Sequence, residues 1–263
     1  DIIHAIEKTV TDAGFSLVMQ QIPSCGDEVQ RAAVMEREKR LQGIIFLGGR
    51  FDYTPEDLTM LNVPFVCCSY SNQYGTLRVG EYSAVSIADE ETARQAVDHL
   101  YDHGHRRIAA LICREDDQSI SQLRYEGYVQ ALESHGIPVD PELVISTGGF
   151  SAKDAYRAVQ EKMAENVDFT ALFAIADSMA IGAMRALMDA GRRIPEDCSV
   201  IAIDGLELSA YIEPPLTTLC QPMEEIGRRS AEILLDMVQH KGSHACELLP
   251  TTLRQGRSVA APR

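Results

Sequence analysis

No run of eighteen apolar residues occurs in this chain of 263, which excludes a helix able to cross a bilayer. The opening "DIIHAIEKTVTDAG" is patterned as an amphipathic helix, not as a basic stub with an apolar core, so no export signal is visible in it. There is no C-x-x-C pair. The seven cysteines (Cys25, Cys67, Cys68, Cys113, Cys198, Cys220, Cys246) are odd in number, scattered, and mostly set in apolar runs. That usage fits reduced, buried thiols in a cytosolic protein better than disulfides or metal ligation. Basic residues are scarce: 24 Lys and Arg face 39 Asp and Glu, a net charge of −15. Such a chain has no electrostatic case for gripping a phosphate backbone, so contact with nucleic acid would need a part not contained in it. G-x-G-x-x-G, G-x-x-x-x-G-K-[ST] and G-x-S-x-G are all missing, which leaves phosphate cradles and nucleophile elbows without their signatures. No cofactor is implied, and no enzyme nucleophile. The histidines at 99, 103 and 105 lack the neighbouring acid of an H-E-x-x-H metal site, and His103-Gly104-His105 straddles a helix end, so solvated or capping roles are expected of them.

What is present is an apolar content of 45%, ample for a real core. β-Branched-rich runs recur at 15–22, 43–49, 63–69, 84–87, 107–113, 142–147, 170–176 and 199–204. Between most of them stand stretches of helical spacing: 27–41, 89–103, 121–135, 153–165 and 178–191. Strands alternating with helices mean β-α-β units and a parallel, doubly wound sheet, so the fold class is α/β. Gly104 and Gly191 fall where helix C-caps belong, each ahead of a strand. Eight candidate strands fit either a barrel or two adjoining open sheets, and periodicity does not choose between them. With no repeat or low-complexity tract, domain boundaries have to come from topology.

In open parallel sheets ligands collect beyond the carboxyl ends of the strands, which directs attention to the residues just after each run. Asp204 closes the buried run "SVIAID" and is followed by Gly205. A carboxylate there must be paired or accept hydrogen bonds, and two readings stand: an Asx turn begun by Asp204-Gly205, or an acceptor for ligand donors at a cleft mouth. Asp177 sits between a strand and a helix, as an N-cap or as a ligand contact. Arg124 lies near the start of the helix after "RIAALIC". The helix dipole disfavours a cation at that end, which suggests that a ligand or a carboxylate holds it there, with a surface salt bridge as the plain alternative.

The wording of several segments goes further. The stretch 171–238 carries D-x-M-A-x-G-A, R-x-P-x-D-x-S-V and P-P-L-T-T-x-x-Q-P, and upstream stand "LQGIIFLGG", "HLYDHGHRRIAAL" and "LRYEGYVQAL" in order. Together these resemble the LacI/GalR family of transcriptional regulators over essentially the whole chain. The resemblance implies an effector-binding core similar to periplasmic binding proteins of type I: two Rossmann-like subdomains with parallel sheets, joined by three crossovers, with the ligand in the interlobe cleft. Carried over, the N-terminal subdomain is 1–87 plus 221–248 and the C-terminal subdomain 88–220 plus 249–263. The family's helix-turn-helix, its hinge helix and the first strand of its core are not found among these residues. Operator DNA would therefore be bound only through that N-terminal part.

Residue by residue, the resemblance places Arg124 at the arginine that binds effector hydroxyls or carboxylates and Asp204 at the acid that accepts from them. Phe150 falls at an often aromatic platform position, and Gln118, Ser69 and Ile87 at wall positions, with Asp177 beginning the helix beside them. Two departures stand out. Ala176 replaces the Asn that many sugar-responsive members carry before that Asp, and Ser69 replaces an acid. The implied protein is a cytoplasmic regulator, a homodimer free of membrane, whose core answers to a small molecule, a sugar or derivative. The rival is an exported sugar-binding protein of a transport system, which shares the fold.

Overall fold

The structure, a computed structural model, describes residues 1–23, 26–78, 80–114 and 118–263. Cys25 lies outside the described residues. In chain order the elements are α1 (Ile2–Asp12), α2 (Glu28–Lys39), β1 (Ile44–Leu47), α3 (Pro55–Leu58), β2 (Phe65–Cys68), β3 (Ser83–Ser86), α4 (Asp89–Asp102), β4 (Ile108–Ile112), α5 (Ile120–Ser134), β5 (Val144–Ser146), α6 (Ala152–Ala164), β6 (Ala171–Ala174), α7 (Asp177–Asp189), β7 (Ser199–Asp204), β8 (Thr217–Cys220), α8 (Met223–His240), β9 (Cys246–Leu248) and β10 (Thr252–Arg254). The chain forms two compact units, Asp1–Ile87 with Pro222–Pro250 and Ala88–Gln221 with Thr251–Arg263, and passes between them three times.

The second unit is built on a six-stranded sheet in the order β10-β8-β7-β6-β4-β5. Every pairing is parallel except that of β10 with β8. Ile108 stands level with Ala171, and Ala171 with Ser199, so β4, β6 and β7 start together and deliver their carboxyl ends to one edge. All residues of β4 and β6 are buried, as strands covered on both faces must be, and this is why they read as unbroken apolar runs. Helices α4 and α5 pack on one another, as do α6 and α7. Both pairs close on glycine: a Cβ at Gly127 would strike the Glu90 carbonyl, and one at Gly182 the Ala152 carbonyl.

The first unit carries a four-stranded parallel sheet, β1-β2-β3-β9, with α8 against β1, β2 and β3 and α1 packed along α8. Two open sheets therefore replace the barrel alternative. One expected strand is corrected: residues 15–22 are in no strand. They run beside β1 across an apolar groove of about 370 Å³ lined by Phe15, Leu17, Ile22, Ile44, Phe46 and Leu234. Leu17, Val18 and Met19 are 40%, 48% and 70% exposed. A strand needs a neighbour to take its backbone hydrogen bonds, and β1 pairs only with β2 among the described residues. The run has the residues of a strand and no partner strand among the described residues.

Three strands carry no apolar signal. β9 and β10 are three-residue edge strands, mostly exposed, and β8 begins with Thr217 and Thr218, buried because their hydroxyls are bonded. One histidine is also corrected. His105 is buried, not solvated, its ring nitrogens bonded to the Thr170 hydroxyl at 3.0 Å and the Ala260 carbonyl at 2.9 Å. His103 is the C-cap of α4, its Nδ1 2.7 Å from the His99 carbonyl oxygen. Cys67, Cys68, Cys113 and Cys198 are buried, Cys220 half-buried and Cys246 exposed.

Candidate functional site

The carboxyl edge of the second unit's sheet gathers the charged groups. Arg124, on the second turn of α5, is only 2% exposed. Its Nε donates to Asp89 Oδ1 at 2.8 Å and its Nη1 to Asp204 Oδ1 at 3.2 Å, and Nη1 also reaches the carbonyl of Ile175 just past β6. Nη2 is buried and has no partner among the described residues. Burial opposes the charge of this guanidinium, but the Asp89 and Asp204 carboxylates outweigh it and hold the pKa above its ordinary value. Burial likewise lifts the Asp89 carboxyl, against the pull of Arg124. The surface salt-bridge alternative for Arg124 is thereby set aside: an unpaired charge at this depth would cost several kcal/mol, on the order of the penalty for any buried ion, and the two carboxylates offset it.

Asp204 ends β7 with a φ of 134°, a conformation rarely adopted outside glycine and held only when its surroundings dictate it. Its Oδ1 accepts from Arg124 and from Gln221 Nε2 at 2.8 Å, while its carbonyl takes the Gln221 amide at 3.0 Å. Oδ2 has no hydrogen-bond partner among the described residues. Gly205 turns the chain away with φ 79°, and its missing side chain admits Cys220, whose Sγ would lie 2.5 Å from a Cβ there. The Asx-turn reading is corrected. The Leu206 amide that such a turn needs is bonded to Asp177 instead.

Asp177 differs from expectation as well. The N-cap of α7 is Ala176, without a side-chain cap, and Asp177 is the first helical residue. Its carboxylate faces inward and is fully buried, with Oδ1 taking the Thr218 hydroxyl at 2.6 Å and Oδ2 taking the Ser209 hydroxyl at 2.6 Å and the Leu206 amide at 2.8 Å. Burial raises its pKa in spite of these bonds. It spends its acceptors on the loop that follows Asp204 and on β8. Arg254 braces the same loop through Gly205, Leu206 and Ser209.

Phe150 follows β5 and is 41% exposed, its carbonyl taking the Ser178 hydroxyl. Gln118 precedes the α5 N-cap Ser119 with φ 47°. Ser69 and Ile87 belong to the first unit, at the carboxyl ends of β2 and β3. Ser69 has φ 64°, and Ile87 is buried. Among the described residues six that are not glycine have positive φ: Arg40 and Lys241 cap helices, Asn166 follows the end of α6, and the other three are Ser69, Gln118 and Asp204. Sequence reasoning missed Asp89, Gln221, Ser209, Thr218 and Arg254. Gln221 lay in view as the Gln of P-P-L-T-T-x-x-Q-P, and Asp89 as the first acid of its helix, but neither pattern names a partner. Both stand beside a passage between the units, Asp89 after Ile87–Ala88 and Gln221 before Pro222.

Residues 97–259 match the model of the periplasmic binding protein-like domain. The HTH-type transcriptional regulator MalR of Clostridium butyricum is 32% identical over 255 residues, covering 96% of this chain and 75% of that protein. The chain belongs to the LacI/GalR family. Among solved structures, the regulator CelR in complex with cellobiose superposes with a TM-score of 0.86 at 30% identity, covering 98% of this chain and 78% of that one. A dimeric Lac repressor superposes at 0.85 with 28% identity, covering 100% and 94%. As a LacI/GalR member, the chain is the effector-binding core of a DNA-binding transcriptional regulator and not an enzyme. No helix among the described residues is long and apolar enough to cross a membrane.

Proposed function

We propose that this LacI/GalR core binds a sugar or sugar derivative through Arg124 and Asp204, and that it acts as a homodimeric repressor in the cytoplasm. One observation carries the reading. A buried guanidinium with one donor nitrogen unpaired among the described residues stands 3.2 Å from a carboxylate with one oxygen likewise unpaired, at the edge where parallel sheets present ligands. A hydroxyl pair suits both, one oxygen accepting from Nη2 and one O–H donating to Oδ2, and charge assistance strengthens each bond. Phe150 supplies an exposed ring of the kind that packs on a sugar face. The cellobiose complex of CelR and the dimeric state of the Lac repressor support the ligand class and the assembly. Operator contact falls to a helix-turn-helix segment of the kind its relatives are named for, in keeping with a net charge of −15. Effector binding acts by favouring one of two conformations of the core, which requires different affinity for the two.

A thermal-shift screen over mono- and disaccharides tests this. A true effector at a hundred times its dissociation constant adds about 2.7 kcal/mol of stability. Asp204→Ala leaves Arg124 bonded to Asp89 and should remove the shift while the variant stays folded. A full shift in Asp204→Ala would refute the assignment.

A further inference from the structure

Arg124 meets its effector already neutralised. Its single positive charge is shared by two carboxylates, Asp89 at 2.8 Å and Asp204 at 3.2 Å, and the fully buried Asp177 carboxylate lies beneath the same loop. The ion-paired core of the site, before any ligand arrives, therefore holds one more negative charge than positive. Yet Arg124 Nη2 is buried and has no partner among the described residues, so an acceptor from outside is called for, and Asp204 Oδ2, on the carboxylate that Nη1 reaches at 3.2 Å, calls for a donor. An effector carboxylate or phosphate would satisfy Nη2 but bring a second anion against Oδ2, leaving that oxygen with no donor. A hydroxyl next to a protonated amine meets both needs and cancels the excess charge.

Building on the reading that Arg124 and Asp204 contact the effector, we infer that this site selects by charge. It ranks a vicinal amino alcohol bearing a protonated amine above the matching neutral diol, and rejects the matching carboxylate. Asp89 is a positioning residue that sets this preference: it touches Arg124 and not the ligand, and it carries the charge that makes the site negative.

Calorimetric titration of the 263-residue chain at pH 7 with two matched sets decides it: glucose, glucosamine and glucuronate, and galactose, galactosamine and galacturonate. The expected order in at least one set is amino sugar, neutral sugar, uronate, with steps of about tenfold, the scale of one unit charge at a few ångströms in a partly screened site. Asp89→Asn should narrow the gap between neutral sugar and uronate by about tenfold. A uronate binding as tightly as its neutral sugar, or an amino sugar binding more weakly, overturns the charge inference while the sugar reading stands. Failure of all six to bind overturns the sugar reading and the inference with it. Equal weakening of every sugar by Asp89→Asn marks a packing role and removes Asp89 from the inference; should that variant not fold, the wild-type order alone decides.

Discussion

The two units use the same parts to different degrees of completion. In the second unit a six-stranded sheet has buried central strands, and the two carboxylates at its carboxyl edge are each tied to elements on either side. In the first, a four-stranded sheet ends at β1, whose outer edge faces an apolar groove and an exposed run at 15–22. The difference teaches that an apolar β-branched run is a strand only where a neighbour receives its hydrogen bonds. Phe173 and Leu17 come from runs of the same character. One is wholly buried in the middle of a sheet and the other 40% exposed beside a groove.

Truncation should expose that contrast most strongly. Phe173→Ala removes a ring stacked near Tyr128 in β6 and should cost about 4 kcal/mol by urea denaturation. A cost below about 1 kcal/mol would mean the second unit's core is looser than its burial implies. Next comes the loop beneath the site. Asp177→Ala strands the Thr218 hydroxyl and the Leu206 amide and takes one acceptor from the Ser209 hydroxyl, and should cost about 3 kcal/mol and weaken effector binding, as calorimetry would register.

A smaller effect follows from pH. Burial, the largest influence on His105, lowers its pKa from the ordinary 6.5. Below pH 6.5 the unfolded imidazole therefore takes up a proton that the folded one refuses, so stability falls as pH drops through that window. Melting curves from pH 7.5 to 5.5 should show His105→Gln losing this slope, and an unchanged slope would place the effect elsewhere. The smallest change is expected in the first unit, where Met19→Ser should alter stability by less than about 0.5 kcal/mol. A loss comparable to that of Phe173→Ala would show the 15–22 run to be as tightly held as a core strand.

Legibility followed the same division. Runs such as "RIAALIC" and "TALFAIA" read directly as strands because both faces are covered and every position must be apolar. β8 hid behind two threonines whose burial makes sense only once Asp177 and Ser258 are seen bonded to that strand. At the site, the position of Asp204 could be read from a run ending in an acid, and Arg124 from a cation at the wrong end of a helix. The identity of their holders could not. Asp89 is 35 residues from Arg124, and Asp204 is 17 from Gln221. No local pattern spans such separations.

From the sequence alone came the α/β class, the alternation of strand and helix, and the family wording that marks a regulator's core. These are decided by periodicity and capping, which act over a few residues. The tertiary structure alone decided that Asp177 turns inward to hold a loop, that His105 is buried, and that among the described residues 15–22 goes unpaired and Arg124 is held by two carboxylates with one donor nitrogen left over. The physical reason is the same in each case. Whether a polar group or a strand edge is satisfied depends on partners brought close by folding, and the cost of leaving it unsatisfied, about 1–3 kcal/mol per buried group, exceeds any local preference.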